Sequence, residues 1–429
     1  MKVIICLNPF ISHYIPTVTM AMRMKELGHE VIYIGFRDAK SYIAQEQFRF
    51  YFLNSCSNND LIRLQRQHKY YEMGLLYQQL HKEMVEILDK CKADIALIGV
   101  SRVYIYLPAM FSKNIKIVLY KLCAGVPSLN KHYPPITSSY IPIFNKKFDI
   151  MSILHWEIRL LRKGLSIPTV ISKFFYPYTI LRKQCGECKI PWKFGIDGFY
   201  PSFPMITFGT EYFEFCENKF SIYTGLGIEG ESDQNGKMQF PFKVKEQPLI
   251  YCCLGTMAAR YMNANTFLVA LIELFKENSQ WNLIISLGKK GASIDIEIKE
   301  DNIYVVDYIN QRLLLKSVDL VLTHGGYGTI KECIFNKVPM VVLPCSYDQH
   351  GNAARIQYNG IGIRSSLMKK TWYQRIFHRG EKSIRGEDIK TLIEEGLNNK
   401  TYYNNICKLM QKVKANNELE NAIKYLELL

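Results

Sequence analysis

Short apolar runs alternate with helix-length amphipathic segments along most of the 429-residue chain. In the first half, the run VIICL is followed by apolar residues at helical spacing from Val18 to Leu27, then by Gly28 and the run EVIYIGF. This order of strand, helix and strand is the βαβ unit, because parallel neighbours need a crossover connection that is usually a helix. We therefore predict an α/β fold in which helices cover a parallel sheet.

The second half of the chain repeats this architecture without repeating its sequence. PLIYCCLG opens it, the helical pattern of NTFLVALIELFKEN follows, and WNLIISLG, NIYVVDY, VDLVLTHGG and PMVVLP are further predicted strands. Residues 230–248 are polar, contain Gly and Pro and lack periodicity, as is typical of a domain linker. We predict a first domain at 1–240, a second at 241–400 and a final helical stretch at 401–429.

The net charge and the hydropathy of the chain indicate which kinds of partner it can bind. The chain has 54 Lys and Arg against 39 Asp and Glu, a net charge of +15 that favours an anionic partner such as a nucleotide sugar or a membrane surface. Nucleic acid is not predicted, because no recognition motif accompanies the charge. No apolar run approaches the about 18 residues of a spanning helix, and the first residues lack signal-peptide features. We expect a cytoplasmic protein that can also make a peripheral contact at the inner membrane face.

The twelve cysteines are scattered, and several lie in predicted strands, such as Cys252 and Cys253. This distribution indicates buried, reduced thiols rather than a disulfide framework. Cys185 and Cys188 have the CxxC spacing of a zinc knuckle or redox pair, but no second pair completes four ligands. We therefore predict ordinary loop cysteines there and no metal site.

Neither βαβ region carries the GxGxxG motif, so the usual fingerprint of a dinucleotide-dependent oxidoreductase is missing.

The most informative segment is VDLVLTHGGYGTIKECIFNKVP, in which a predicted strand runs into His324 and Thr329 opens a predicted helix. A glycine-rich turn joins them, formed by Gly325, Gly326 and Gly328. N–H groups at a helix start are unpaired, the helix dipole adds positive charge there, and glycines let a ligand approach the backbone closely. The segment therefore predicts a diphosphate site, to which Thr329 adds a hydroxyl and His324 a ring N–H.

Acidic and amide side chains follow this turn at informative positions. Glu332 lies three residues into the predicted helix, where its carboxylate can accept hydrogen bonds from vicinal hydroxyls such as those of a ribose. The alternative is a capping box, since Thr329 and Glu332 match S/T-x-x-E. Asp348 and Gln349 follow the next predicted strand, at the sheet edge where ligands bind, and suit hydrogen bonding to sugar hydroxyls.

The segment from Tyr308 to Ile363, with YINQ, THGGYGT, KE, VPM and SYDQHGNAARI, resembles the nucleotide-sugar signature of family 1 glycosyltransferases. These are inverting UDP-glycosyltransferases with a GT-B fold. The resemblance implies two doubly wound Rossmann-like domains facing a cleft, with the acceptor bound by the first domain and the donor by the second. It also implies that the last helix crosses back to the first domain.

The resemblance also implies roles for individual residues. The diphosphate would be held by Gly255, Thr256, His324, Gly326 and Thr329. The nucleoside and sugar would be held by Glu332 at the ribose, Tyr308 and Gln311 at the base, and Asp348 and Gln349 at the hexose. Tyr308 and the Asn310-Gln311 pair stand where many members have Trp and Pro-Gln, and Gly328 replaces the Asn of plant members, as is common in bacterial ones.

His13, in NPFISHYIP, is predicted to lie in the turn after the first strand and to face the cleft. A lone His there is often structural, but members of the resembled family carry a catalytic His at this place. Its task would be to take the proton of an acceptor hydroxyl. Relatives often orient that His with an Asp after the fourth strand, whereas here Asp94 lies at the wrong end of DIALIGVSR. Three alternatives remain open: another acid orients His13, His13 acts without a partner, or turnover is weak.

The acceptor is expected to bind at Lys131–Tyr200, which is rich in aromatic and basic residues; the alternative is an irregular excursion packed on the first domain. FISH and CLGTMAARY are similar to the macrolide and zeaxanthin glucosyltransferase branch of the family, which implies a lipophilic small-molecule acceptor. The co-substrate would be a UDP- or dTDP-sugar, with no metal or other cofactor. A GT-B-fold sugar-nucleotide epimerase and a non-catalytic nucleotide-sugar binder are the alternatives.

Overall fold

The computed structural model describes most of the chain, and the statements below concern those residues alone. They are residues 1–7, 11–39, 48–67, 69–100, 103–126, 130, 132–143, 149–164, 192–195, 198–217, 221–228, 247–255, 258–288, 297–377, 380 and 382–429. The predicted domain limit at 240 and nearly all of the predicted linker lie outside them.

The first domain is built on a parallel sheet. In chain order its strands and those of a small hairpin are β1 (Lys2–Cys6), β2 (Glu30–Phe36), β3 (Arg49–Leu53), β4 (Ile95–Gly99), β5 (Lys116–Lys121), β6 (Trp192–Gly195), β7 (Gly198–Pro201), β8 (Met205–Thr207) and β9 (Ile222–Tyr223). The described sheet has the order β3-β2-β1-β4-β5-β8-β9, and β6 pairs with β7 in an antiparallel hairpin. β1 pairs with both β2 and β4, so the strand order reverses beside β1.

Helices cover both faces of this sheet. They are α1 (Ile11–Glu26), α2 (Asn58–Arg66), α3 (Tyr70–Cys91), α4 (Val103–Ser112) and α5 (Ile150–Gly164). β4 is buried at every position, which explains its continuous apolar run, since strands of a covered parallel sheet are buried on both faces. α1 begins at Ile11 and runs through Pro16. The prediction that His13 lies in a turn is therefore wrong: it lies in the first turn of α1.

The second domain has the same design. Its strands are β10 (Leu249–Cys253), β11 (Asn282–Ser286), β12 (Ile303–Val306), β13 (Leu320–Thr323), β14 (Met340–Val342) and β15 (Gly362–Arg364), paired in parallel in the order β12-β11-β10-β13-β14-β15. Its helices are α6 (Ala264–Glu277), α7 (Gln311–Leu314), α8 (Tyr327–Asn336), α9 (Gln349–Tyr358), α10 (Trp372–Phe377) and α11 (Gly386–Asn398). The strand order reverses between β10 and β13, which is where doubly wound sheets bind ligands.

Two C-terminal helices connect the domains. α12 (Lys400–Ala415) packs on the second domain, and α13 (Glu418–Glu427) packs on the first, where Ile423 and Leu426 join the core that contains β1. Arg23 of α1 lies 2.6 Å from Glu420. The end of the chain thus returns to the first sheet.

A buried ion pair joins the two domains directly. Glu214, which follows β8, accepts a 2.8 Å hydrogen bond from Arg355 Nε of α9, and both side chains are almost fully buried. Lys121 places a positive charge near the Glu214 carboxylate. Tyr223 OH donates a 3.1 Å hydrogen bond to Glu214 Oε1. Removal of one partner from such a pair leaves a buried uncompensated charge, which costs about 3–5 kcal/mol. This pair therefore ties α9 to the first domain.

Candidate functional site

The glycine turn between β13 and α8 is held in one conformation. Gly325 has φ +86°, and a Cβ at this position would lie 2.6 Å from Val342 Cγ1, so only glycine fits without strain. Its N–H donates to Thr323 Oγ1 at 3.3 Å. Its carbonyl accepts a 2.9 Å hydrogen bond from Asn352 Nδ2 of α9, and Asn352 is fully buried. The turn is thus fixed from the strand side and from the next helix.

Glycines are required beside His324 because its ring lies against the backbone. A Cβ on Gly255 would lie 2.5 Å from the ring, and a Cβ on Gly326 would lie 2.7 Å from Nε2. The Tyr261 ring stacks on His324 at 6.1 Å between centroids. Burial lowers the pKa of His324 to about 4. The imidazole is therefore neutral at pH 7, with one N–H to donate and one acceptor nitrogen.

The amino end of α8 is open. Its N-cap is Gly326, which offers no side-chain cap, and the first intrahelical hydrogen bond runs from Ile330 N to Gly326 O at 3.1 Å. A Cβ on Gly328 would meet no atom within 4 Å. The helix begins at Tyr327 rather than at the predicted Thr329, because glycine serves as the cap. The capping-box alternative is therefore wrong, and N–H groups of the first turn remain for a ligand.

Gln311 connects the donor-site residues. Its Nε2 donates to Glu332 Oε2 at 2.5 Å and to Thr329 Oγ1 at 3.3 Å, and its Oε1 accepts from Tyr251 OH at 3.1 Å. Arg312 Nε lies 3.4 Å from Glu332 Oε1. The structure thus places Gln311, predicted to contact the base, where it holds Glu332 and Thr329. Tyr251 was missed, since a Tyr inside a buried strand carries no sequence signal for a site.

Tyr308 lies between β12 and α7, and its side chain is 69% exposed. It precedes the turn that positions Gln311, on the same side of the domain as the glycine turn. Contact between Tyr308 and the base remains a prediction.

Asp348 and Gln349 lie at the start of α9. The Asp348 carboxylate accepts a 3.0 Å hydrogen bond from Asn352 Nδ2, and burial raises the pKa of Asp348. Gln349 is buried: its Oε1 accepts from the backbone N–H groups of Cys345 and Ser346 at 2.9 Å, and its Nε2 donates to Tyr261 OH at 2.9 Å. The Gln349 amide thus shapes the loop before α9, while Asp348 keeps acceptor capacity.

Asn352 was not assigned to the site from the sequence, although it links the glycine turn to Asp348. Its position four residues after Asp348 places both side chains on the same face of α9, which is the one signal that could have revealed it. Tyr347, before Asp348, has φ +50° and is 79% exposed. A non-glycine residue in this conformation is uncommon.

On the first domain, α1 borders a short segment that α8 also borders. Thr19 Oγ1 donates to Gly227 O at 2.8 Å, and a Cβ on Gly227 would lie 3.5 Å from Pro16 O and 3.9 Å from Lys331 Nζ of α8. α1 and α8 therefore border the same short segment. His13 lies one turn before Pro16 on α1.

Asp94 does not orient His13. Its Oδ2 accepts from the Lys2 backbone N–H at 2.7 Å, at the amino ends of β1 and β4. α1 begins near the opposite, carboxyl edge of the same sheet. The expectation that Asp94 lies at the wrong end is confirmed.

Several predicted positions lie outside the described residues: Thr256, Cys185, Cys188 and half of 131–200. The described cysteines are free, and Cys252 and Cys253 are buried, as predicted. Within the described ranges, no cluster of three or more His, Cys, Asp or Glu side chains is arranged to hold a metal ion. Across the same ranges, no helix combines the length and the apolar character that crossing a bilayer demands.

Comparison with known proteins agrees with the resemblance to glycosyltransferases, and the family model that matches is one of family 28, whereas the sequence motifs resemble family 1. Residues 250–371 match the model of the glycosyltransferase family 28 C-terminal domain. The oleandomycin glycosyltransferase of Streptomyces antibioticus is 26% identical over 147 residues, 34% of this chain and 33% of that protein. The zeaxanthin glucosyltransferase of Pantoea ananas is 33% identical over 130 residues, 29% of this chain and 28% of that protein. The chain thus matches about a third of the length of these relatives.

The likeness in structure extends over the whole chain. The glycotransferase of kitacinnamycin superposes with a TM-score of 0.71 at 15% identity, covering 99% of this chain and 98% of that one. The predicted architecture of two doubly wound domains is therefore confirmed. The chain has the GT-B fold of glycosyltransferases, and residues 250–371 of its second domain match the glycosyltransferase family 28 C-terminal domain.

Proposed function

We propose that the protein is an inverting glycosyltransferase that moves a hexosyl group from a UDP- or dTDP-sugar to a hydroxyl of a lipophilic small molecule. The observation that carries this proposal is the uncapped amino end of α8, with the neutral His324 ring held between two glycines at the point where the strand order reverses. This arrangement supplies hydrogen-bond donors without a competing side-chain cap.

The diphosphate would bind at this helix start. N–H groups of the first turn and the Thr329 hydroxyl donate to phosphate oxygens, and the helix dipole stabilises their charge. The pKa of about 4 keeps His324 neutral at physiological pH, so it contributes one N–H and no charge. These donors stabilise the charge that grows on the leaving diphosphate, so no metal is required in this proposal.

The nucleoside would extend toward α7. Glu332 accepts hydrogen bonds from the ribose hydroxyls, and Gln311 holds its carboxylate in place at 2.5 Å. Arg312 Nε lies 3.4 Å from Glu332 Oε1 and places a positive charge beside this carboxylate. The exposed ring of Tyr308 stacks on the base.

The hexose would lie at the start of α9, on the cleft side of the diphosphate. Asp348 accepts hydrogen bonds from the sugar hydroxyls, while Asn352 holds its carboxyl group in position. The neighbouring amide of Gln349 keeps the loop before α9 in place and is the second predicted sugar contact.

His13 would act as the general base. The acceptor oxygen attacks the anomeric carbon from the face opposite the diphosphate, the bond from that carbon to the diphosphate oxygen breaks, and the hydroxyl proton passes to the imidazole. One displacement of this kind converts an α-linked donor into a β-linked product. General-base catalysis contributes about 10²–10⁴-fold to the rate.

Two observations support a lipophilic acceptor. The relatives described above are named for oleandomycin and zeaxanthin, and the predicted acceptor region at 131–200 is rich in aromatic and basic residues. An acceptor of this kind partitions into membranes, which agrees with the basic charge of the chain and with a peripheral contact at the inner membrane face.

The test begins with donor binding. Calorimetry with UDP-glucose, dTDP-glucose and unrelated nucleotides should show binding of a nucleotide sugar, and a donor at 100 times its Kd should stabilise the protein by about 2.7 kcal/mol. Incubation with donor and a panel of lipophilic alcohols, followed by mass spectrometry, should show an added hexose. Isomerisation of the donor without an acceptor would indicate an epimerase, and tight binding without transfer or hydrolysis a non-catalytic binder.

A further inference from the structure

A lysine is buried where the helix α8 meets the first domain. Lys331 is 4% exposed and lies one turn after Tyr327, the first residue of α8. Its Nζ donates a 3.3 Å hydrogen bond to the carbonyl oxygen of Phe208, which follows β8 at the carboxyl edge of the first sheet. Phe208 is buried as well, and its own N–H donates to Lys121 O of β5 at 3.0 Å. An ammonium group of the second domain is thus bonded to the backbone of the first sheet.

The ring of Tyr327 makes a second contact with the same first-domain segment. It stacks on Phe213 at 5.4 Å between ring centroids. A Cβ on Gly209 would lie 2.2 Å from the Tyr327 hydroxyl oxygen, so the backbone next to Phe208 approaches this ring closely. Lys331 Nζ lies 5.7 Å from the centroid of the Tyr327 ring, within reach of a cation–π contact. Two side chains one turn apart therefore seat α8 on consecutive residues of the first domain.

A short segment around Gly227 contacts both Lys331 and α1. A Cβ on Gly227 would lie 3.9 Å from Lys331 Nζ and 3.5 Å from Pro16 O of α1. The Gly227 carbonyl accepts a 2.8 Å hydrogen bond from Thr19 Oγ1, which ties the segment to α1. α1 is also the helix that carries His13, the proposed base. The placement of Lys331 is thus linked to the placement of α1 through Gly227.

Lys331 keeps its charge in this environment. Burial lowers the pKa of Lys331 to about 8, and the carboxylate of Glu332 opposes this shift, so the side chain is mostly protonated at pH 7. A buried ammonium group costs free energy that an apolar side chain of similar length would not cost. Its hydrogen bond, however, is directional, whereas an apolar contact is not. A lysine at this position therefore favours one orientation of α8 against the first domain.

The donor-site residues of α8 follow a different spacing from the first-domain contacts. Thr329 and Glu332 are three residues apart, and both accept hydrogen bonds from Gln311. Tyr327 and Lys331 are four residues apart and both contact the first domain. One helix therefore carries the proposed diphosphate and ribose contacts together with the contacts that seat it on the first domain.

We propose that Lys331 is a positioning residue for sugar transfer: its bond to Phe208 O holds α8 in the orientation that presents the bound donor to the base on α1. Lys331 acts through α8 and contacts no reacting atom. This role rests on the proposed function, because it requires a donor at α8 and a base at His13. The proposed donor contacts belong to the second domain, so loss of Lys331 lowers transfer and leaves donor affinity unchanged.

The first measurement needs no turnover. Lys331→Met keeps the length of the side chain and removes the bond to Phe208 O. Lys337→Met, at the exposed C-cap of the same helix, is the matched control. Hydrogen–deuterium exchange of the full chain, read by mass spectrometry, should become about threefold faster or more at 208–213 and 222–228 in Lys331→Met, and should not change in the control. Equal exchange in the parent and in Lys331→Met would overturn the proposal.

A second variant changes the same contact from the first domain. Gly209→Ala places a Cβ against the Tyr327 hydroxyl and should give the same pattern of exchange. It therefore decides the question if Lys331→Met does not fold. Unchanged exchange at 222–228 in Gly209→Ala would then overturn the proposal.

The third measurement is kinetic. Lys331→Met should lower kcat about tenfold or more, since misplacement by about 1 Å can cost 10²-fold, and should change the donor Kd less than about twofold. In a His13→Ala background the same substitution should change kcat less than about twofold, because the base that α8 is oriented toward is absent. Equal losses of kcat and donor affinity, or the full loss of kcat in both backgrounds, would contradict a positioning role. If the parent transfers no sugar, the proposed function fails, and the exchange result still decides whether Lys331 seats α8 on the first domain.

Discussion

The donor side and the acceptor side of the cleft are built differently. On the donor side, one glycine turn is held by Thr323 and Asn352, and the residues around it hydrogen-bond to one another. On the proposed acceptor side, His13 lies on α1, and the next turn of α1 borders the segment at Gly227, which Lys331 of α8 also borders. Half of the predicted acceptor region lies outside the described residues. The proposed nucleotide site thus centres on one turn of defined backbone geometry, whereas the proposed acceptor side combines α1 with the distant segment 131–200.

The comparison with known proteins follows the same division. The family model matches residues 250–371, all within the second domain. A site made from backbone N–H groups tolerates few substitutions where a Cβ would clash, as it would at Gly325 and Gly326. The predictions below test this division, from the largest expected effect to the smallest.

Replacement of His13 should have the largest effect, because it should lower turnover and leave donor binding unchanged. His13→Ala removes the proposed base, so kcat should fall about 10²–10⁴-fold. The donor Kd should not change, because the donor is bound by the second domain. Steady-state kinetics with calorimetry would measure both quantities. His29→Ala is the control: His29 pairs with Glu427 at 2.8 Å, away from the cleft, and should keep kcat. Unchanged turnover in His13→Ala would remove it from the mechanism.

The buried ion pair between the domains should have the largest effect on stability. Glu214→Gln leaves Arg355 buried without its counter-charge, and the free energy of unfolding should fall by about 3–5 kcal/mol. Urea denaturation would measure it. The double variant Glu214→Gln with Arg355→Met removes both charges and should recover part of the loss. A single variant as stable as the parent would show that the pair does not hold the domains together.

Two glycines of the donor turn should respond in opposite ways. Gly325→Ala places a Cβ 2.6 Å from Val342 at φ +86°, and should cost about 2–4 kcal/mol of stability. Gly328→Ala meets no atom within 4 Å and should leave stability equal or slightly higher, since alanine favours a helix. Its Cβ should weaken donor binding by crowding the diphosphate. Thermal unfolding and donor titration measure the two effects, and a Gly328→Ala variant with full donor affinity would place the diphosphate elsewhere.

Glu418, where the last helix crosses to the first domain, should make stability depend on pH. Burial raises its pKa to about 7, and the nearby Glu211 carboxylate acts in the same direction. Its protonated form is thus favoured in the folded state: the stabilisation is complete below pH 4.5 and is lost as the pH rises through about 7. The loss should be about 1–3 kcal/mol. Denaturation between pH 5 and 8 would measure it, and Glu418→Gln should flatten the profile; an equal slope in both proteins would contradict the assignment.

The start of α1 shows where sequence patterns fail. The apolar periodicity that predicted the helix begins at Val18, but the helix begins at Ile11. Ile11 and Ile15 are 43% and 40% exposed, so the first turn does not show an inward-facing apolar pattern. His13 was consequently placed in a loop. The predicted start of α8, at Thr329, is two residues later than the observed start at Tyr327. The reason is related, because the N-cap Gly326 has no side chain that would mark it as a cap in the sequence.

The sequence by itself determined the two parallel sheets, the glycine turn and the residues around it, because strand periodicity and glycine spacing are local properties. Only the tertiary structure decided that Gln311 holds Glu332, that Gln349 reaches Tyr261, and that Asn352 fixes Gly325. These hydrogen bonds join segments that are far apart in the chain or on facing turns. Their partners become defined only when the sheets and helices pack.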